Sequence, residues 1–251
     1  MLREKVVFGP IKSRRLGRSL GVNLLPEEGK LCNFDCIYCE CGWNRDGLLD
    51  RRLPSAEEVR EALASRLRAC RAEGTGIDSI TFSGDGEPTL NPGFPQIIRD
   101  TLALRDSFFP EARVSVLTNA TRIGREEVFQ ALRLVDNPIL KLDAPTTGLV
   151  RLVNRPACDY DVEQVVADMT RFEGDFVLQT MFLQGGGFDW SDPGIIGAWM
   201  EIVRRLRPRE VMVYTLDRPA PQAGLGKYTE EQMRALVQPL LDEGFCIQIK
   251  A

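Results

Sequence analysis

The chain has 251 residues, 43% hydrophobic and 27% charged, with a formal net charge of −4 and no histidine. That length and composition suit one globular domain able to bury a large core without disulfides. The acidic balance gives no global signature of nucleic-acid binding. The absence of histidine removes the commonest general base and the commonest metal ligand, leaving Asp, Glu, Lys, Tyr or Cys for any proton chemistry.

From the N-terminus, residues 1–15 are charged and lack an uninterrupted apolar stretch, so no secretory signal is expected. No apolar run approaches the roughly 20 residues of a membrane-spanning helix, which predicts a cytoplasmic protein without membrane contact. Lys12, Arg14, Arg15 and Arg18 form a basic cluster suited either to an anionic partner or to plain solvation. Residues 1–18 read as a basic extension of a single domain covering 1–251. Strands are predicted at Ser19–Leu25, Ile77–Ser83, Arg113–Thr118, Ile139–Leu142, Phe176–Leu183 and Glu210–Leu216, with a further one at Phe245–Lys250. Between them lie amphipathic stretches. Capping boxes at Ser55–Glu58 and Thr229–Gln232 mark two helix starts. Val59, Leu63, Leu67 and Cys70 recur at helical spacing, which assigns Cys70 to the core. Six strand–helix units imply a parallel sheet and an α/β fold of the partial (β/α)6, TIM-like barrel kind, open on one side.

The loop from Pro26 to Pro54 is long for a connection of this sort, and long loops in small domains are usually functional. It carries Cys32, Cys36, Cys39 and Cys41, the first three spaced C-x3-C-x2-C. In a reducing compartment clustered thiols hold metal more often than they form disulfides. Thiolates on one loop converge on an iron–sulfur cluster, and three of them leave one iron open. Cys41 leaves a second reading standing, in which a fourth sulfur closes the site. A zinc site of four cysteines, stabilising a non-catalytic binding module, is the competing structural account.

Cys32-x3-Cys36-x2-Cys39, with Tyr38 before the last cysteine, resembles the signature of the radical S-adenosylmethionine (SAM) superfamily. Ser83-Gly84-Asp85-Gly86-Glu87-Pro88-Thr89 is similar to that superfamily's glycine-and-glutamate motif. The segments Gly9–Asn23 and Tyr214–Pro219 look like those of stand-alone iron–sulfur oxidoreductases related to the enzymes of tRNA wyosine-base synthesis.

The resemblance implies a [4Fe–4S] cluster on Cys32, Cys36 and Cys39, with S-adenosylmethionine chelating the open iron. It implies an enzyme that cleaves SAM reductively to methionine and a 5′-deoxyadenosyl radical, which takes hydrogen from a substrate. Tyr38 would lie against the adenine, and Gly84, Asp85, Gly86 and Glu87 would offer backbone groups to the methionine amino group. Glycine suits that approach because it lacks a Cβ. Asn119 would reach the methionine carboxylate or the ribose. Lys141 and Asp143 would meet a carboxylate and a ribose hydroxyl, or pair with each other. Gln179 would act on the next strand, where Met181 reads as core. A low-potential electron donor of the flavodoxin or ferredoxin type is the implied partner. The substrate stays open among a tRNA base, a small metabolite and a glycyl-radical protein. Arg155, Asp217 and Arg218 are candidates for contacting it or are solvated loop charges, and Cys41, Cys158 and Cys246 either donate hydrogen, bind a second cluster or are unreactive thiols.

Overall fold

The computed structural model describes residues 6–13, 16–26, 29–47 and 52–251. Arg14 and Arg15 of the basic cluster lie outside the described residues. Strand and helix alternate as expected, and the chain divides into two compact units.

The first unit takes the described residues up to Cys32, with Asn44–Thr118 and Gly124–Pro138. It opens with β1 (Val7–Ser13), antiparallel to β2 (Gly17–Val22) and bulged between Phe8 and Ile11. No strand is predicted before Ser19, because β1 mixes exposed Ile11 and Lys12 with half-buried positions and shows no clear apolar pattern. Helix α1 (Ala56–Ala72) starts at the expected capping box, with Ser55 and Glu58 each bonding the other's backbone N–H. It buries Val59, Leu63, Leu67 and Cys70. Strand β3 (Ser79–Phe82) is buried along its whole length and runs parallel to β2. Helix α2 (Phe94–Phe108), strand β4 (Arg113–Thr118, parallel to β3) and helix α3 (Glu126–Arg133) follow.

This unit's strands are less apolar than their Val and Ile content suggests. Ser79 Oγ lies 3.0 Å from Thr81 Oγ1 and 3.1 Å from Ser115 Oγ, and Ser19 Oγ lies 2.6 Å from Thr81 Oγ1. Asn137 closes the row by donating to Ser115 at 3.0 Å. Buried hydroxyls need such partners, and a connected row satisfies them together.

Strand β5 (Asn137–Lys141) leads into the second unit, which comprises Asn33–Trp43, Asn119–Ile123 and Ile139–Ala251. There α4 (Thr147–Val153) and α5 (Val162–Thr170) precede β6 (Val177–Met181), which pairs parallel with β5. The predicted strand Phe176–Leu183 is divided: β7 (Leu183–Gly185) turns back as a hairpin with β8 (Phe188–Asp189). Phe182 sits at the division, stacked on Trp190 at 4.6 Å and edge-on to Trp199 at 5.7 Å. Aromatic pairs at these separations add to their burial. Helix α6 (Pro193–Leu206), strand β9 (Glu210–Tyr214), strand β10 (Gly226–Lys227) and helix α7 (Glu230–Asp242) come next, α7 starting at the second expected capping box. The chain closes with β11 (Ile247–Lys250), parallel to β9.

Candidate functional site

In the first unit, the chain arriving at Cys32 is paired with the glycine loop after β3. Leu31 donates its N–H to Asp85 O at 2.9 Å, and Glu87 donates its own to Leu31 O at 3.1 Å. Gly86 is the position that makes this possible. Its φ is +145°, and a Cβ there would stand 1.8 Å from Leu31 O. A side chain would separate the two strands of backbone. Gly84 is similarly crowded, a Cβ falling 2.1 Å from Asn23 Oδ1.

Asn23 in turn steers the loop. Its Oδ1 accepts from the N–H of Asp85 at 3.3 Å and of Leu25 at 3.2 Å. Asp85 and Glu87 are both buried. Glu87 Oε1 accepts from Thr89 and from Thr118. The carbonyl of Cys32 accepts from Asn44 Nδ2 at 3.0 Å. Gly84–Glu87 is therefore a structured loop locked to the cysteine segment, unlike an ordinary exposed turn.

In the second unit, the rest of the cysteine loop lies along the segment that follows α4. Asp35 N–H bonds Asn154 O at 2.8 Å, Ile37 N–H bonds Val153 O at 2.9 Å, and Ala157 N–H bonds Asn33 O at 2.8 Å. Tight turns then carry Cys36 into Cys39 and Cys39 into Gly42. Asn119 is held against the same loop, donating to Asn33 Oδ1 at 2.6 Å while its Oδ1 accepts from Thr121. Arg218 pairs with Glu40 at 3.1 Å, and Arg155 lies over the Trp43 ring at 4.9 Å. A cavity of about 540 Å³ opens at the 216–227 segment, lined by Asp217, Arg218, Gln222 and Lys227 among others.

Tyr38, Lys141, Asp143, Asn154 and Tyr214 form one polar network beside Cys36. Lys141 Nζ donates to Tyr38 at 2.9 Å and to Tyr214 at 2.8 Å, and stands 3.5 Å from Asp143. Tyr38 donates to Asp143 Oδ2, which also accepts from Asn154 at 2.7 Å, while Asp143 Oδ1 accepts from Met181 N–H at 2.9 Å. Burial works against the Lys141 charge, but Asp143, Tyr214 and Cys36 outweigh it and hold the ammonium above its ordinary range. Burial first, and Asp143 second, push the Tyr38 phenol well up. Burial drives the Cys36 thiol up to about 11, with Lys141 and the Asn154 hydrogen bond pulling the other way. Gln179 is buried beside Lys141 in the β5–β6 register.

Of the expected residues, the first unit brings together Gly84–Glu87 and the approach to Cys32. The second brings together Cys36, Tyr38, Lys141 and Asp143. Asn23, Asn154 and Tyr214 complete these groups without having been singled out for them. Asn154 lies next to the flagged Arg155, and only its position one residue past a helix end, before Arg-Pro, marks it in the sequence.

The sequence pattern of the Radical SAM superfamily matches residues 29–189, which holds the cysteine loop, the glycine loop and β3 to β8. The chain belongs to the radical SAM superfamily. A UPF0026 protein of Methanocaldococcus jannaschii is 32% identical over 219 residues, 85% of this chain. This radical SAM chain spans 64% of that relative's length. A radical SAM methyltransferase of Sphaerobacter thermophilus has a TM-score of 0.68 at 17% identity, covering 92% of this chain and 65% of its own. SuiB of Streptococcus suis, solved with S-adenosylmethionine bound, has a TM-score of 0.66 at 14% identity, covering 92% of this chain and 50% of its own.

The fold class is the α/β, partial TIM-like one expected from the strand–helix alternation. The cofactors of the radical SAM superfamily are a [4Fe–4S] cluster and S-adenosylmethionine. No helix among the described residues is long and apolar enough to cross a membrane.

The donor chemistry fits such a cluster. Cys32, Cys36 and Cys39 put three thiols on one loop, and soft sulfur donors so placed are what iron–sulfur centres take. Among the described residues, no three or more Cys, Asp or Glu side chains are gathered as a ready-made metal cage. Spacing and ligand type carry the fit.

Proposed function

We propose that this enzyme cleaves S-adenosylmethionine reductively and passes the resulting radical to a bound substrate by hydrogen abstraction. The carrying observation is the C-x3-C-x2-C triplet inside the family-matched segment, joined through Leu31 and Gly86 to the glycine loop. Cys32, Cys36 and Cys39 would hold the cluster. When bound, it supplies the electron that breaks a carbon–sulfur bond of SAM.

The chain's own residues orient and shield. Gly84–Glu87 present backbone where no Cβ intervenes, for the methionine amino group. Asn119, tied to Asn33 of the cysteine loop, would reach the methionine carboxylate or the ribose. Tyr38 has its ring buried in the polar network, so its backbone is the part left to meet adenine. Lys141 and Asp143 act through Tyr38, and the buried Gln179 supports Lys141. Asp217 and Arg218, on the 540 Å³ cavity, are assigned to the substrate side. A low-potential flavodoxin- or ferredoxin-type protein would deliver the electron.

For a tRNA substrate, Arg18 is the member of the basic cluster whose charge is already engaged within the chain. Arg18 is taken up by Asp78, with bonds of 3.1 and 2.8 Å from its guanidinium and 2.8 Å from its N–H.

Anaerobic reconstitution with iron and sulfide tests the reading. The protein should turn brown and, with dithionite, convert SAM to methionine and 5′-deoxyadenosine. A protein that binds zinc and takes up no iron defeats it, in favour of the metal-stabilised binding module. Incubation with fractionated, deuterium-labelled extract then finds the substrate as the fraction passing deuterium into 5′-deoxyadenosine.

A further inference from the structure

Asn154 caps the C-terminal end of α4 and is 1% exposed. It holds the cysteine loop twice. Its carbonyl accepts from Asp35 N–H at 2.8 Å, and its side-chain Nδ2 reaches Cys36 Sγ at 3.2 Å. The same Nδ2 donates to Asp143 Oδ2 at 2.7 Å and lies 3.3 Å from the Tyr38 hydroxyl. The orientation of the amide is decided by Asp143. Turned over, it would set a carbonyl oxygen 2.7 Å from a carboxylate oxygen, two acceptors without a hydrogen between them. In the observed orientation one N–H goes to Asp143 and the other is free to point at sulfur. Its Oδ1 is buried and meets no hydrogen-bond partner among the described residues.

We propose that Asn154 is a positioning residue that sets the reduction potential of the cluster by donating an N–H···S hydrogen bond to Cys36. This rests on the cluster ligation proposed above. Adding one electron to a [4Fe–4S] centre increases the negative charge on its thiolates. A donor aimed at one of those sulfurs stabilises the reduced form and raises the potential. The bond sits on the buried sulfur of the triplet, where water cannot substitute for the missing donor. Asp143 and the Lys141 ammonium hold the amide in place from the other side.

The test is the midpoint potential of the reconstituted protein without SAM, followed by the electron paramagnetic resonance signal of the reduced cluster. Asn154→Leu, of similar volume but without a donor, should load the same iron and sulfide as wild type and titrate at a more negative potential. An unchanged potential in fully loaded N154L overturns the proposal. If N154L does not hold a cluster, Asn154→Asp retains the shape, replaces the donor with an acceptor, and should likewise titrate more negative. A third measurement needs no variant. Wild-type protein labelled with nitrogen-15 only at asparagine side chains should show a nitrogen hyperfine coupling to the reduced cluster, and no such coupling overturns the assignment. Wild-type protein that takes up no iron overturns both this proposal and the reading beneath it; loaded protein with an unshifted potential overturns this one alone.

Discussion

Thr118 Oγ1, on the last residue of β4, donates to Glu87 Oε1 at 2.7 Å, and Thr89 gives the same oxygen its backbone N–H at 3.0 Å and its hydroxyl at 2.6 Å. One buried carboxylate oxygen thereby joins the end of a strand to the loop that pairs with Leu31. Charge-assisted bonds of this kind are worth more than neutral ones. Glu87→Ala leaves three donors without that acceptor and should cost about 3 kcal/mol. Thr118→Val removes one of them and should cost about 1 kcal/mol. Urea unfolding of the unloaded protein measures both.

Gly86→Ala should do more local damage than its size suggests. The added methyl would stand 1.8 Å from Leu31 O, so the two backbone bonds linking residue 31 to 85 and 87 must break. We expect a loss of stability of about 2 kcal/mol or more, together with reduced iron uptake, since the displaced segment leads into Cys32. Gly148→Ala is the control. It lies in α4 with nothing within 4 Å of a built Cβ, and should be neutral or stabilising by up to about 1 kcal/mol.

Lys141→Met would leave Asp143, whose side chain is fully buried, beside a vacated cation site. Removing one partner of a buried pair costs about 3–5 kcal/mol. Adding Asp143→Asn should recover part of that loss, because a neutral amide needs no cation. Stability of the two single variants and the double variant gives the coupling. A double variant no better than Lys141→Met would mean the ammonium acts through Tyr38 and Tyr214 instead.

Arg18 supplies a pH dependence of known sign. Its side chain, and then its backbone N–H, hold the Asp78 carboxyl down to about 2. The folded value is depressed, so the pair's contribution is present above the unfolded value of about 4 and is lost as pH falls from there toward 2. Asp78→Asn should be less stable than wild type at pH 6, and the gap should close with acidification. Urea midpoints at pH 6, 4 and 3 follow it.

Cys41 is predicted to be dispensable for the cluster. Cys41→Ala should retain the iron content of wild type, whereas Cys36→Ala should lose it. Equal loss in both would mark a closed four-cysteine site.

Signals that act over one turn of chain were legible in the sequence. Both capping boxes form where Ser55–Glu58 and Thr229–Gln232 place them, and β4 occupies Arg113–Thr118 as predicted. Cys70 is buried on the apolar face of α1. The cysteine triplet and the glycine loop were visible because their spacing is itself the chemical signal. Strand β1 was not legible, since its place comes from pairing with β2 more than from its own apolar pattern. The division of the strand at Phe182 was hidden too. It depends on residues later in the chain, Trp190 stacking on that ring and Trp199 meeting it edge-on.

The sequence by itself determined the family to which the chain belongs and which thiols are candidates for a cluster, because thiol spacing is a local property of one loop. Only the tertiary structure decided what surrounds those atoms. Asn154 stands 118 positions from Cys36 and Asp143 stands 105 from Tyr38. Neither pairing has a periodicity to betray it. Both arise because packing in the second unit brings distant polar groups together out of water, where a hydrogen bond offsets the cost of burying them.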